Sequence, residues 1–163
     1  TETEGVLISY TSVYGNTKKA VEYLAEKLRE KGCENVKVFD LARDDMAEAV
    51  EDAFRHDKLV LASATYDGGL FPCMEDFLSH LKAKNFQKRK VGLMENGSWA
   101  PMAAKYMRAA FESMKNIFEI ENKTGKVINI EPVTDLLEKD YIPVISTVGC
   151  DKEGNVYNIK LYC

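Results

Sequence analysis

Short apolar runs of β-forming residues alternate four times with stretches patterned for helices, and this alternation limits the fold more than any other feature of the chain. Val6-Leu7-Ile8-Ser9-Tyr10, Val36-Lys37-Val38-Phe39, Leu59-Val60-Leu61-Ala62 and Val91-Gly92-Leu93-Met94 read as buried strands. Ala20, Val21, Leu24, Ala25 and Leu28 recur at helical spacing, which predicts a helix over 17–31 that stops at Gly32. A second helix is predicted over 44–54, with Asp44 or Asp45 near its start. A third begins at Pro72, a residue suited to a first helical turn, and runs to about Ala83. Met102, Tyr106, Ala110 and Met114 share one face of a fourth, over 101–115. Strand–helix alternation of this kind predicts an α/β fold: a doubly wound parallel sheet with helices on both faces.

A chain of 163 residues predicts one domain. Beyond about Asn116 the pattern changes. Phe118-Glu119-Ile120 suits a fifth strand, and further strand-like pieces fall at 126–130 and 144–148, with a short helix at 134–138. Gly154-Asn155 suits the turn of a hairpin between Ile145-Ser146-Thr147 and the run from Tyr157 to Leu161. Residues 121–163 are therefore read as an atypical C-terminal extension.

The charge balance, 22 basic against 26 acidic residues, is a poor match for a nucleic-acid binder, which needs a positive surface to displace counterions. No apolar run approaches the ~18 residues of a membrane span, and the acidic, polar start Thr1-Glu2-Thr3-Glu4 is unlike a signal peptide. It also lacks a Met, as the start of a processed chain or of a piece of a longer one would. Cys33, Cys73, Cys150 and Cys163 form no C-x-x-C pair and fit no common zinc spacing. They read as free thiols of a reducing, cytoplasmic compartment, with a disulfide between Cys150 and Cys163 left open.

In an open parallel sheet, ligands sit beyond the carboxyl ends of the strands. Three loops there have unusual content. Thr11-Ser12-Val13-Tyr14-Gly15-Asn16-Thr17 follows the first strand and leads into a helix. Its hydroxyls at Thr11, Ser12 and Thr17, the Asn16 amide and the backbone N–H groups can donate to a phosphate, helped by the positive end of the helix dipole. It holds no Lys before Lys18, so the triphosphate loop with its invariant Lys is absent and a phosphate monoester is the expected target. Thr65-Tyr66-Asp67-Gly68-Gly69 follows the third strand, and Asn96-Gly97-Ser98-Trp99 the fourth. Each supplies one aromatic residue, Tyr66 and Trp99, beside small residues. A flat ring system fits between them, stacked on one or both, with the glycines allowing close backbone approach.

The three segments TSVYGNT, ATYDGGLFP and ENGSWAP, at 11–17, 64–72 and 95–101, together resemble the flavodoxin family, and most of all the flavodoxin domain of flavodiiron proteins. The likeness runs in order over about two-thirds of the chain. It implies a non-covalently bound FMN, its phosphate at 11–17 and its isoalloxazine flanked by 65–69 and 96–99. It implies an electron carrier rather than a stand-alone enzyme, with no catalytic residue and no metal of its own, working with a redox protein partner or a fused redox domain. Where the alternative flavodoxin pattern has an aspartate-rich third loop with a stacking Tyr, this chain has Trp99. Where family members run from a fifth strand into a final helix, this chain carries the extension.

Two other readings of the fold compete. An NAD(P)H-dependent flavin or quinone reductase needs room for nicotinamide over the flavin face, which a packed Trp99 opposes. A phosphoreceiver domain needs a carboxylate at the end of the third strand, where Ala62-Ser63-Ala64 stands. His56 and His80 read as surface residues without a ligand-spaced partner. Asp44, Asp45, Glu48, Glu51 and Asp52 read as a solvated helix face, and Cys73 as a small packing residue near the second loop.

Overall fold

A computed structural model describes residues 1–96, 101–120, 148–150 and 156–158. Strand β1 (Thr3–Tyr10) leads to helix α1 (Asn16–Glu30), and β2 (Val36–Asp40) to α2 (Met46–Arg55). Strand β3 (His56–Tyr66) turns into the two-residue β4 (Gly69–Leu70), and α3 (Pro72–Ala83) follows. Then come β5 (Arg89–Asn96), α4 (Ala103–Glu112) and β6 (Ile117–Glu119). The strands order β2-β1-β3-β5-β6, all parallel, with β4 paired antiparallel to β3. The order reverses between β1 and β3, the switch point where a doubly wound sheet opens a crevice.

Side chains alternate across the sheet and meet helices on both faces. Leu7, Leu59, Leu61 and Val91 share one core with Ala49, Val50 and Ala53 of α2, Phe77 and Leu81 of α3, and Met107 and Phe111 of α4. Val6, Ile8, Tyr10 and Ala62 share the other with Val21 and Ala25 of α1. The helix α1 stops as Gly32 predicts: Gly32 takes φ +88°, its N–H donates to Arg29 O, and Cys33 N donates to Leu28 O. A second close approach needs glycine too. A Cβ at Gly5 would lie 2.4 Å from the Asn35 carbonyl oxygen.

Helix α4 is shorter than the 101–115 expected from periodicity: Met102, at φ −126°, is its N-cap, and past Glu112 the chain tightens into a turn, with Met114 N donating to Phe111 O. The fifth strand expected at 118–120 lies one residue earlier. The hairpin expected around Gly154-Asn155 is present as β7 (Val148–Cys150) paired antiparallel with β8 (Val156–Asn158), so its first arm lies after the run from Ile145 to Thr147. The pieces expected at 126–130 and 134–138 lie outside the described residues.

Candidate functional site

At the carboxyl edge of the sheet, β1 ends in a loop that the strand beside it shapes. Thr11 N donates to Ala62 O at 2.9 Å, and the fully buried Thr11 and Ser63 hydroxyls lie 2.9 Å apart. Ser12 Oγ accepts Gly15 N at 3.0 Å, and Gly15 turns left-handed at φ +87° into α1. Thr17, also buried, accepts from Asn96 Nδ2 at 3.4 Å, which joins the first loop to the last residue of β5. The hydroxyls thus build the loop more than they line it: Thr11 faces inward, and Ser12 is 7% exposed. What the loop presents outward is the start of α1. No side chain caps it, and no acidic residue stands in its first turn. Its first N–H groups have no intrahelical acceptor by construction, and the dipole places partial positive charge there. Beside them Tyr14 is 91% exposed and Val13 half exposed.

The neighbouring helix starts on the same edge are bound up. Asp45 Oδ1 accepts both Ala47 N and Glu48 N and caps α2. The turn before it is tied by Asp40, whose N–H donates to Asp44 Oδ2 and whose Oδ1 accepts Ala42 N. Buried Tyr10 adjoins this turn. Burial first, and the Asp40 carboxylate second, push its phenol up to about 12. Helix α3 begins with Pro72, which has no N–H. At α4, Thr65 Oγ1 accepts Met102 N at 2.9 Å and Ala103 N at 3.3 Å, and Glu95 Oε2 accepts Ala104 N at 2.9 Å.

Between α1 and α4 stands the β3–β4 hairpin. Thr65 pairs with Leu70 and Tyr66 with Gly69. Asp67 (φ +47°) and Gly68 (φ +70°) form its tip, both left-handed as a tight two-residue turn requires. The Tyr66 ring is half exposed, 5.0 Å from Phe71. Asn96, Thr65, Tyr66 and the turn therefore share the edge with the α1 start. Gly97, Ser98 and Trp99 lie outside the described residues.

A model of the flavodoxin domain matches residues 7–153, most of the chain. The chain belongs to this family. The flavodoxin-like fold extends to solved structures. The flavodiiron protein of Giardia intestinalis superposes with a TM-score of 0.64 at 18% identity, over 84% of this chain and 33% of that one. A flavodoxin from the domain Archaea superposes with a TM-score of 0.57 at 17% identity, over 74% of this chain and 87% of that one. Among curated proteins, the coenzyme F420H(2) oxidase of Methanothermobacter marburgensis is 28% identical over 85 residues, 52% of this chain and 21% of that protein. Acetylglutamate kinase of Methanococcus aeolicus is 33% identical over 81 residues, 48% of this chain and 28% of that protein. The flavodoxin-like chain thus spans less than a third of the length of these two curated relatives.

Several expectations need correction. His56 is not a surface residue: it is buried, with Nδ1 2.9 Å from Asp52 O. His80 does have a carboxylate at helical spacing, with Nε2 3.5 Å from Asp76 Oδ1. Of the acidic set, Asp44, Asp45, Glu48 and Glu51 are exposed as expected, and Asp52 alone is buried. Asp44 and Asp45 hold the turn and the cap, Glu51 pairs with Arg55, and Asp52 is 2% exposed between Lys37 and Arg55. Among the described residues no three His, Cys, Asp or Glu side chains gather as a metal would require, and no helix is long and apolar enough to cross a membrane. Cys33 and Cys73 are free thiols, each partly buried. The roles of Thr65 and Glu95 as caps escaped the sequence reading. Each sits at a strand end, and the amides it holds begin a helix nine or more positions later.

Proposed function

We propose that this chain binds one FMN without a covalent bond and carries electrons to or from a redox protein partner or a fused redox domain. The observation that carries this reading is the uncapped start of α1 beside an α2 and an α4 whose first N–H groups are bound by side chains. A dianion suits a cluster of unpaired N–H donors at a helix start, and no carboxylate stands in the 11–17 loop to oppose it. The donors are neutral, which favours a single phosphate over a polyphosphate needing Lys and metal. The 11–17 loop would hold that phosphate: Asn16 and Thr17 through their backbone N–H groups, with Val13 and Tyr14 beside them and Thr11, Ser12 and Gly15 shaping the loop. Thr65, Tyr66, Asp67, Gly68 and Gly69 would flank one side of the ring system, and Asn96, Gly97, Ser98 and Trp99 the other.

When bound, FMN supplies both one- and two-electron chemistry, and the protein's part is to fix its position and tune its potential. The half-exposed Tyr66 offers an aromatic face. Flavodiiron neighbours, much longer than this chain, support the reading that the electron is handed across an interface to a centre held elsewhere. Titrating the apoprotein with FMN and with riboflavin, by flavin fluorescence, tests the proposal. Charge-assisted hydrogen bonds contribute about 1.5–3 kcal/mol each, so FMN is expected to bind at least about 100-fold more tightly. Equal affinities, or no binding of either, would overturn it.

A further inference from the structure

Two residues outside the phosphate loop hold the far side of the proposed ring site. Thr65, on the last turn of sheet before the hairpin tip, accepts from Met102 N and Ala103 N. Glu95, at the end of β5, accepts Ala104 N. Three consecutive amides are thereby bound, from two different strands. Asn96, the last residue of β5, and Met102, before the first residue of α4, lie on the same edge, and the start of α4 is fixed to β3. Thr65 also pairs with Leu70, at the base of the Tyr66–Gly69 turn. One side chain therefore ties the second loop to the start of α4.

We infer that Thr65 and Glu95 are positioning residues that clamp the start of α4 to β3 and β5 and so fix the Tyr66–Gly69 turn and the end of β5, the described flanks of the proposed ring site, relative to that helix. The inference rests on the proposed flavin site. Neither residue needs to touch the flavin through its side chain, since both Thr65 Oγ1 and Glu95 Oε2 point to helix amides. Thr65→Val keeps the branched shape and removes the acceptor. Thr65→Ser restores the acceptor and removes only the methyl group. Glu95→Leu and Glu95→Gln make the same comparison on the other strand.

Backbone amide exchange of the apoprotein, followed by NMR, reads the clamp without any cofactor. Thr65→Val is expected to speed exchange at Met102 and Ala103 about five- to tenfold, the loss of one ordinary hydrogen bond. Glu95→Leu should do the same at Ala104, with amides of β1 unchanged. FMN affinity should fall by a similar factor in both, and Thr65→Ser and Glu95→Gln should restore both readouts. Unchanged exchange in Thr65→Val and Glu95→Leu would overturn the clamp. Faster exchange with unchanged flavin affinity would overturn its positioning role, as would failure of the conservative variants to rescue. A wild-type protein that binds no flavin would overturn the proposed function and the link to the ring with it, and amide exchange would then decide the clamp alone.

Discussion

Helices α1 and α4 start at the same edge of one sheet and have opposite chemistry there. The α4 start is tied down: a hydroxyl and a carboxylate take the amides of Met102, Ala103 and Ala104. The α1 start has a left-handed glycine, no side-chain cap and no acid in its first turn. Because its cap is a glycine, α1 forgoes only about a few tenths of a kcal/mol relative to a Ser, Thr, Asp or Asn cap. The open amides of α1 therefore cost the fold little. Where a ligand supplies the missing acceptor, the open start is complete only when the ligand is bound.

The strongest way to break this comparison is to give α1 what α4 has. Asn16→Asp places a carboxylate in the first turn of α1, next to the amides that would hold phosphate. It should stabilise the apoprotein slightly through the helix dipole, by about 0.3–1 kcal/mol. Against FMN it sets a negative charge beside a dianion, and at an effective dielectric of ~20 such a pair repels by about 4 kcal/mol at ~4 Å. FMN affinity should fall about 100-fold or more, while riboflavin affinity stays within about twofold, because riboflavin has no phosphate to repel. Parallel loss of both ligands would place the damage elsewhere than at a phosphate.

A closed end of the sheet makes its own prediction. Tyr10, at the end of β1, is 4% exposed and adjoins Asp40. Its phenol is raised from 10.0 to about 12 by burial first and by the carboxylate second. In the unfolded chain it ionises near 10, so between pH about 10 and 12 the unfolded chain binds fewer protons than the folded one. Its contribution is then fully present below pH 10 and is lost as pH rises to 12, by up to roughly 2–3 kcal/mol. Denaturant unfolding at rising pH should show that slope in the native protein and a flatter one in Tyr10→Phe. Identical slopes would separate Tyr10 from the closed turn at Asp40.

What could be read in the sequence follows from how far each signal reaches. Strand and helix signals are local, so α3 starts where Pro72 predicts, and α1 lies within a residue of the bounds that its repeat and Gly32 predict. The parallel sheet followed from alternation alone. Side-chain acceptors for distant amides were not legible, because Thr65 meets Met102 across 37 positions and no local pattern records it. His56 and Asp52 were misread for the same reason: a polar residue at a helix end looks exposed until the partners that bury it are known. At the site, the loop words located the edge, but the inward turn of Thr11 depends on its pairing with Ser63, 52 positions away. The family likeness is shown by the match over residues 7–153, and the strand ends that precede the three loop words, at Tyr10, Tyr66 and Asn96, lie on one edge of the sheet.

The hairpin tip gives the smallest expected effect and separates two adjacent glycines that look equivalent in the sequence. Gly68 takes φ +70°, and a Cβ there would meet nothing within 4 Å, so the cost of a side chain is conformational rather than steric. Left-handed backbone costs a residue with a Cβ roughly 1 kcal/mol more than glycine. Gly69 has no such φ, and its added Cβ would sit 3.7 Å from Tyr66 O and 4.0 Å from Glu75 Oε1, ordinary contacts. Gly68→Ala should therefore lower stability by about 1 kcal/mol, and Gly69→Ala should leave it within about 0.5 kcal/mol. With FMN bound, the same order should appear in the one-electron potentials, because a side chain at the left-handed Gly68 would restrict the backbone of a turn that would lie beside the flavin, and one at Gly69 would not. Thermal melts of the three proteins, followed by redox titrations, measure both. Equal shifts for the two alanine variants would mean that the left-handed turn at 67–68 is not what the glycine provides, and that the edge between α1 and α4 is set by the two helix starts alone.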